Sequence, residues 1–374
     1  NVLAHWEHTF SQHSKIRLQS YYDRTERQNS LFRETRDTFD LDFQHSFTMG
    51  ERHAMVWGAG YRLTADSLPA TAVASFDPDS RRLHLLSAFV QDEITLLRDR
   101  LYLTLGSKVE HNDFTGFEVQ PSGRLLWMPH ERHVVWAAVS HAVRTPARFE
   151  HDLQLDLAVV PVNGLLNLVT VSGNRDVTSE ELMAYELGYR LQPIHRLFLD
   201  IVTFYNSYTN LRTVELGPPL FSRRPPPPDL LSPTRFDNRL RGATYGVEVT
   251  TQWDVTPSWR VAGGYTWLHI RLHRDASSSD LTSEAAAGND PQHQFHVRSY
   301  LDLPWKVEFD TALYYVDHLV TPRVPSYLRF DLRLGWRPTR ALELSLVGQH
   351  VFDARHQEFG PGGNVIRQTE IQRG

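Results

Sequence analysis

The stretch TFDLDFQHSFTMGERHAMVWGAGYRL, Thr38 to Leu63, decides the fold class. In its first arm Phe39, Leu41, Phe43 and Phe47 alternate with Thr38, Asp40, Asp42, Gln44 and Ser46. In its second arm Met55, Trp57, Ala59, Tyr61 and Leu63 share one face. A period of two is the mark of a β-strand with unlike faces, and MGER between the arms is a tight turn. The same alternation returns in SYLRFDLRLGW, where Leu328, Phe330, Leu332, Leu334 and Trp336 oppose Tyr327, Arg329, Asp331, Arg333 and Gly335. It returns again in RLFLDIVTFY, with Leu197, Leu199, Ile201 and Tyr205 opposite Arg196 and Asp200. Helical periodicity is absent, and the chain reads as all-β.

Connections between these strands fall into two kinds. Short ones lie at Ser11 to Ser14, Met49 to Arg52, Leu97 to Arg100, Pro129 to Arg132, Gln192 to His195, Thr256 to Ser258, Leu303 to Lys306 and Arg337 to Arg340. Between them fall polar loops: Arg24 to Arg36, Thr64 to Arg81, Thr145 to Thr178, Tyr208 to Leu240 and Arg271 to Gln292. A strict order of short turn and longer loop gives an up-and-down sheet whose two ends differ, as in outer-membrane barrels. Trp127, Trp253, Trp259, Trp305 and Trp336 lie in or beside the short turns, with Trp136 and Trp57 a few residues on. Indole rings favour the headgroup level of a bilayer, so this placement predicts an aromatic girdle. The mean hydropathy of −0.41 fits a sheet with one polar face. Counting from turn to turn predicts about 17 strands of ~9–11 residues each.

The chain has 374 residues and no cysteine, which excludes disulfides, a thiol nucleophile and a cysteine metal site. A net charge of −5 argues against a nucleic-acid partner. The longest apolar run, Leu155 to Val171, is broken by Asp156, Pro161, Asn163 and Gly164, so it predicts a hairpin about Asn163-Gly164 rather than a membrane helix. The chain opens at Asn1 inside a patterned segment, and the last strand, from Asn364, is expected to be cut at Gly374. The expectation is a partial barrel over residues 1–374, without the first strands or the end of the last.

Catalytic signatures are missing: no G-x-S-x-G elbow, no H-E-x-x-H and no glycine-rich phosphate loop occur. HERH, His130 to His133, is one residue short of the zinc-protease spacing and lies in a turn. No enzyme activity, metal or cofactor is expected. Lys108, Glu110, Arg124, Glu186, Glu248, Arg298, Asp331 and Arg333 lie on the polar faces of their strands, where water or a packed partner must satisfy them. Arginines crowd one long loop: Arg223 and Arg224 before the proline run Pro225 to Pro228, then Arg235, Arg239 and Arg241. They suit either an anionic ligand or lipopolysaccharide phosphates, and the sequence leaves both open. In AVSHAVRTPARFE, Ala138 to Glu150, Pro146 marks where pairing loosens at the rim and puts Arg144, Arg148 and Phe149 at the mouth.

Several segments together resemble the barrel of TonB-dependent outer-membrane receptors. In order they are SAFVQDEITL, QPSGRLLWMP, AVSHAVRTPARFE, GNRDVTSEELMAYELGYR, DIVTFYNSYTNLRT, GATYGVEV and DLRLGWRPTRALELSLVGQHVFD. The resemblance implies a 22-stranded barrel around an N-terminal plug, with Asn1 in roughly the sixth strand. It implies energised uptake across the bacterial outer membrane of a scarce ligand, most often a ferric siderophore, otherwise cobalamin, haem or a sugar. TonB would be reached through an N-terminal region that this sequence does not contain, and outer-membrane lipid and lipopolysaccharide would surround the wall. On that reading Arg144, Arg148, Phe149, Tyr208, Arg212 and Arg235 are the candidates for ligand contact at the extracellular mouth. A passive porin-like channel is the alternative, and a soluble all-β enzyme a more distant one.

Overall fold

The computed structural model describes residues 1–29, 31–221, 230–321, 323–352, 355–359 and 369–372. The strands are β1 (Val2–Ser11), β2 (Ser14–Gln28), β3 (Arg33–Met49), β4 (His53–Ser67), β5 (Ala74–Phe76), β6 (Ser80–Leu97) and β7 (Leu101–Asn112). Next come β8 (Gly116–His130), β9 (His133–Arg144), β10 (Leu153–Val162), β11 (Leu165–Ser172), β12 (Glu180–Ile194), β13 (Leu197–Leu216) and β14 (Leu220–Phe221). The chain continues with β15 (Leu230–Thr256), β16 (Trp259–Arg274), β17 (His293–Leu303), β18 (Val307–Val316), β19 (Tyr327–Trp336) and β20 (Leu344–Gly348). Sixteen of these form one antiparallel meander, each pairing with the next; β5, β10, β11 and β14 are accessory strands at the long-loop end. Among the described residues β1 and β20 do not pair with each other, so the sheet is open. Most of the final strand expected from sequence lies outside the described residues. Its part Thr369–Gln372 (β22) pairs instead with Arg355–Phe359 (β21) in a separate ladder.

Register shows why the alternation is so regular. Lys108 pairs with Gln120, Arg124 with Ala138, Ala138 with Glu186, Glu186 with Phe204, and Phe204 with Gly246. Farther on, Arg298 pairs with Ala312 and Ala312 with Asp331. Because side chains alternate with period two, these pairings gather the polar positions on one face. The opposite face presents Phe39, Leu86, Val90, Leu105, Leu125, Leu187, Val297 and Leu334, all exposed. A charge on a lipid face costs ~2–4 kcal/mol at the bilayer midplane, which explains the segregation. Of the tryptophans expected in the girdle, Trp57, Trp127, Trp253, Trp259 and Trp336 lie on the apolar face near the short turns, 39% to 48% exposed, Trp6 joins them, and Trp305 stands in its turn, 86% exposed.

Trp136 departs from that girdle. It is the register partner of Gly188 on the polar face, and its ring lies flat across that glycine beneath the Arg124 guanidinium at 5.6 Å. A Cβ at Gly188 would stand 2.6 Å from the indole Cζ2. Phe204 covers its own partner Gly246 in the same way, with Cζ at 2.8 Å. Gly188→Val should therefore displace the indole and lower stability by about 1–3 kcal/mol in urea unfolding. Gly123→Val, where the nearest atom is an ordinary 3.4 Å away, should leave the midpoint in place; equal midpoint shifts would contradict this account.

Two expectations about loops need correction. The segments read as long polar loops are largely strand: β2 runs to Gln28 and β3 starts at Arg33, while β13 runs to Leu216 and β15 starts at Leu230. Polar side chains facing water do not prevent backbone pairing, so the ladders continue past the apolar belt. The strict order of short and long connections also fails: only four residues separate β2 from β3, and a tight turn joins β7 to β8. Between β7 and β8 the Asn112 carboxamide accepts from the backbone N–H of Phe114 and Thr115, both at 2.9 Å, and Gly116 has φ +77°, so the loop end is closed by a tight turn. Asn163-Gly164 does form the hairpin turn between β10 and β11, with φ +50° and +83°. The buried apolar cluster sits at the long-loop end, where accessory strands and the connection before β12 pack on the extensions of β13 and β15: Leu153, Val177 and Phe236, with Phe76, Leu155, Val171 and Val214 against them.

Candidate ligand mouth

At the end of β9, Pro146 has no N–H for the ladder and the chain turns into a short helix, α1 (Arg148–Asp152), across the mouth. The Glu150 carboxylate accepts the backbone N–H of Ala147 at 2.8 Å, which satisfies one free donor at the helix start. The same carboxylate accepts from Arg144 Nη2 at 2.8 Å and from Arg212 Nη1 at 2.9 Å. Glu180, paired in register with Arg144, accepts from Arg144 Nε at 2.7 Å and from the backbone N–H of Arg212 at 2.9 Å. Two arginines from β9 and β13 thus meet two glutamates from α1 and β12.

The electrostatics follow from the donor count. Burial pushes the Glu150 and Glu180 carboxyls up, but the hydrogen bonds from Arg144, the backbone donors and the nearby guanidinium charge outweigh it, so both are held below the usual carboxylate range. Glu180 and Glu150 in turn raise the Arg144 guanidinium above its ordinary value. Glu150 is buried, whereas the side chains of Arg144 and Arg212 remain 47% and 43% exposed. An arginine offers five N–H donors; among the described residues Arg212 uses Nη1 alone of its side-chain donors on a protein acceptor. The quartet is neutral as a whole but presents cationic edges to the mouth.

Arg148 is placed differently from its neighbours. It is buried, its Nε bonds Asp152 at 3.1 Å, and its terminal nitrogens bond Asp66 and the Pro78 carbonyl. Its guanidinium lies 5.5 Å from the Phe76 ring. Asp152 also holds Arg81 at 3.0 Å. Arg148 therefore ties α1 to the end of β4 and to the connection after β5. Phe149 is 41% exposed and packs on Phe236 at 5.4 Å, with Arg212 over the same ring at 5.4 Å. Tyr208 pairs with Leu182, on the polar face one side-chain step below Glu180. Arg235 stands apart, lining a cavity of about 430 Å³ with Glu215, Arg239, Ser277 and Ser279. Arg223, Arg224 and the proline run lie outside the described residues. Sequence reasoning missed Glu150, Glu180 and Phe236; the i, i+4 spacing of Arg148 and Asp152 was the available hint that this arginine was already partnered.

The family model described as TonB dependent receptor-like, beta-barrel matches residues 3–349. The chain belongs to the TonB-dependent receptor β-barrel family. Members of this family are outer-membrane proteins. Among solved structures, the ferric enterobactin receptor PfeA of Pseudomonas aeruginosa, in a mutant form, is 16% identical with a TM-score of 0.74, over 96% of this chain and 58% of that one. The siderophore receptor PirA of Acinetobacter baumannii is 13% identical with a TM-score of 0.73, over 94% and 58%. The FrpB iron transporter of Neisseria meningitidis is 13% identical with a TM-score of 0.70, over 96% and 59%. At such identities the likeness carries the fold, and the chain spans less than two thirds of the length of these structures.

Proposed function

We propose that this chain is the membrane wall and extracellular mouth of a receptor in the bacterial outer membrane that takes up an anionic ferric chelate, a ferric siderophore, by TonB-driven transport. Family membership over residues 3–349 supports the transport class. The similar structures are those of siderophore and ferric enterobactin receptors and an iron transporter, which supports the iron-chelate class. The observation that carries the ligand's charge is the pair of half-exposed guanidiniums, Arg144 and Arg212, meeting at the inner side of the mouth. Phe149 and Tyr208 offer aromatic surface beside them. Arg148 serves as a positioning residue beneath, and lipopolysaccharide with outer-membrane lipid surrounds the wall.

Uptake of iron-55 on catecholate and hydroxamate chelates into producing cells tests this reading. Arg144→Gln with Arg212→Gln should lower uptake at least ~10-fold, the effect of losing a charge-assisted contact of about 1.5–3 kcal/mol. Glu150→Gln breaks the same network but leaves both guanidiniums, so it should retain chelate binding. Equal loss in both variants would assign the arginines to structure alone. Uptake that persists after the proton-motive force is collapsed would sink the energised mechanism.

A further inference from the structure

Below the arginine pair the inner, polar face of the wall changes character. One side-chain step in from Arg144 and Glu180, Ala142 pairs with Leu182, Leu182 with Tyr208, Tyr208 with Gly242 and Gly242 with Leu272. The next rung joins Ser140, Ala184, Asn206, Thr244 and Ile270 across the same five strands. Charge returns in the rung after that, where Arg124 pairs with Ala138 and Ala138 with Glu186. Strand geometry sets ~20 Å between the two charged rungs, and the strip between them on β9, β12, β13, β15 and β16 is neutral. Elsewhere the same face is charged: Arg62 meets Asp40 at 2.7 Å, and Arg329 meets Asp331 at 2.7 Å.

The strip is also low in profile. β9 gives it Ala142 and Ser140, and β12 gives it Ala184. Larger side chains lie along the wall: Leu272 Cδ2 is 2.5 Å from where a Cβ at Gly242 would stand, and Phe204 covers Gly246. Asn206 Nδ2 donates to Thr244 Oγ1 at 3.1 Å, so these two polar groups satisfy each other. At its inner end the strip opens on a cavity of about 580 Å³ lined by Ala138, Ser140, Arg124, Trp136 and Glu186. A ligand in transit needs contacts favourable enough to enter and weak enough to leave. Fixed carboxylates repel an anionic chelate and fixed guanidiniums retain it, so a wall with neither, and with small side chains, meets that need. We propose that this strip is the track along which the ferric chelate moves inward from Arg144 and Arg212, with Ala184 at its centre keeping it open. This rests on the chelate-uptake reading and adds the side of the lumen that the ligand follows.

The test uses the full-length receptor in producing cells, with catecholate and hydroxamate ferric chelates as probes. Three quantities are read side by side: chelate binding to de-energised cells, iron-55 uptake by energised cells, and sensitivity to vancomycin as a measure of leakage. Ala142→Phe with Ala184→Phe should leave binding and vancomycin resistance unchanged and lower uptake at least ~10-fold. Ala184→Asp should lose uptake in the same way, while Ala184→Asn, of the same size and uncharged, should keep it. Ala312→Phe, on the polar face between Arg298 and Asp331, should transport normally. Normal uptake in the double variant would overturn the proposal, as would equal loss in Ala312→Phe or equal uptake in the aspartate and asparagine variants. Loss of uptake accompanied by vancomycin entry would also overturn it, because the strip would then seat a plug rather than pass the ligand. A wild type that binds and transports no ferric chelate fails the functional reading and this one with it. A filled variant that transports as well as a working wild type fails this one alone.

Discussion

Arg148→Met is expected to unfold the extracellular mouth while the sixteen-stranded wall stays folded. The carboxylate of Asp66 is 1% exposed, and its Oδ2 has no hydrogen-bond partner among the described residues, so Arg148 supplies its charge partner. Asp152 is fully buried and would keep Arg81, with Arg175 at 3.8 Å, but would lose its contact within α1. Removing one member of a buried ion pair leaves an uncompensated charge and costs ~3–5 kcal/mol. The wall has its own continuous ladder of backbone hydrogen bonds, so the loss should appear as local opening rather than global unfolding. Hydrogen exchange over residues 147–153 and 74–76 should accelerate by a factor of ~10² or more, with β3 and β12 unchanged. Adding Asp66→Asn, which removes the orphaned charge, should restore part of the protection. Wild-type protection in Arg148→Met would show that the buried pair is not what orders the mouth.

That expectation also explains what was legible in the sequence. The wall was readable because lipid on one side and water on the other impose a period of two on every stave, as in Thr38 to Leu63. A tryptophan such as Trp127 near a short turn likewise has one physical reason to be there. Trp136 misled because an indole on the polar face is identical in composition to one on the lipid face; only its register against Gly188 separates them. The mouth was half readable. Arg144 and Arg212 were marked by rim position and charge, but their shared acceptor Glu150 lies 6 residues from the one and 62 from the other, a convergence that no local pattern encodes. Arg148 looked like its neighbour Arg144 in sequence, yet the backbone of α1 turns it inward to Asp66, 82 residues away. The parallel pairing of β11 with β15 was equally hidden, since accessory strands outside the membrane need no alternation.

Acid is expected to release the mouth, and Glu150→Gln to remove most of that response. Glu150 and Glu180 both have folded values below their ordinary range, because donors from Arg144, Ala147 and Arg212 outweigh the opposing effect of burial. For a lowered carboxyl the unfolded state takes up the proton first. Its stabilisation is therefore complete above the unfolded value near ~4.3 and is lost as pH falls through the lower folded value. Hydrogen exchange over 147–153 should be flat between pH 7 and pH 5, once corrected for intrinsic rates, and should rise steeply below about pH 4. Glu215 and Asp280 are also held low, because donors from Thr213, Ser279 and Ser278 outweigh burial at the first and donors from Ser283, Val214 and Thr282 outweigh it at the second, so the connection after β16 should loosen as the pH falls through their own lowered values. In Glu150→Gln the amide presents N–H groups where Arg144 and Arg212 also donate. The mouth should then be weaker at pH 7 by about 1.5–3 kcal/mol, yet approach the stability of the wild type as the pH falls through the lowered folded value of Glu150, where the native carboxyl takes up its proton too. The two exchange profiles should converge as the pH falls, within residues 147–153 and not within the connection after β16. Parallel profiles, offset equally at every pH, would show that the side chain acts by shape and that the charge on Glu150 does not hold the two arginines.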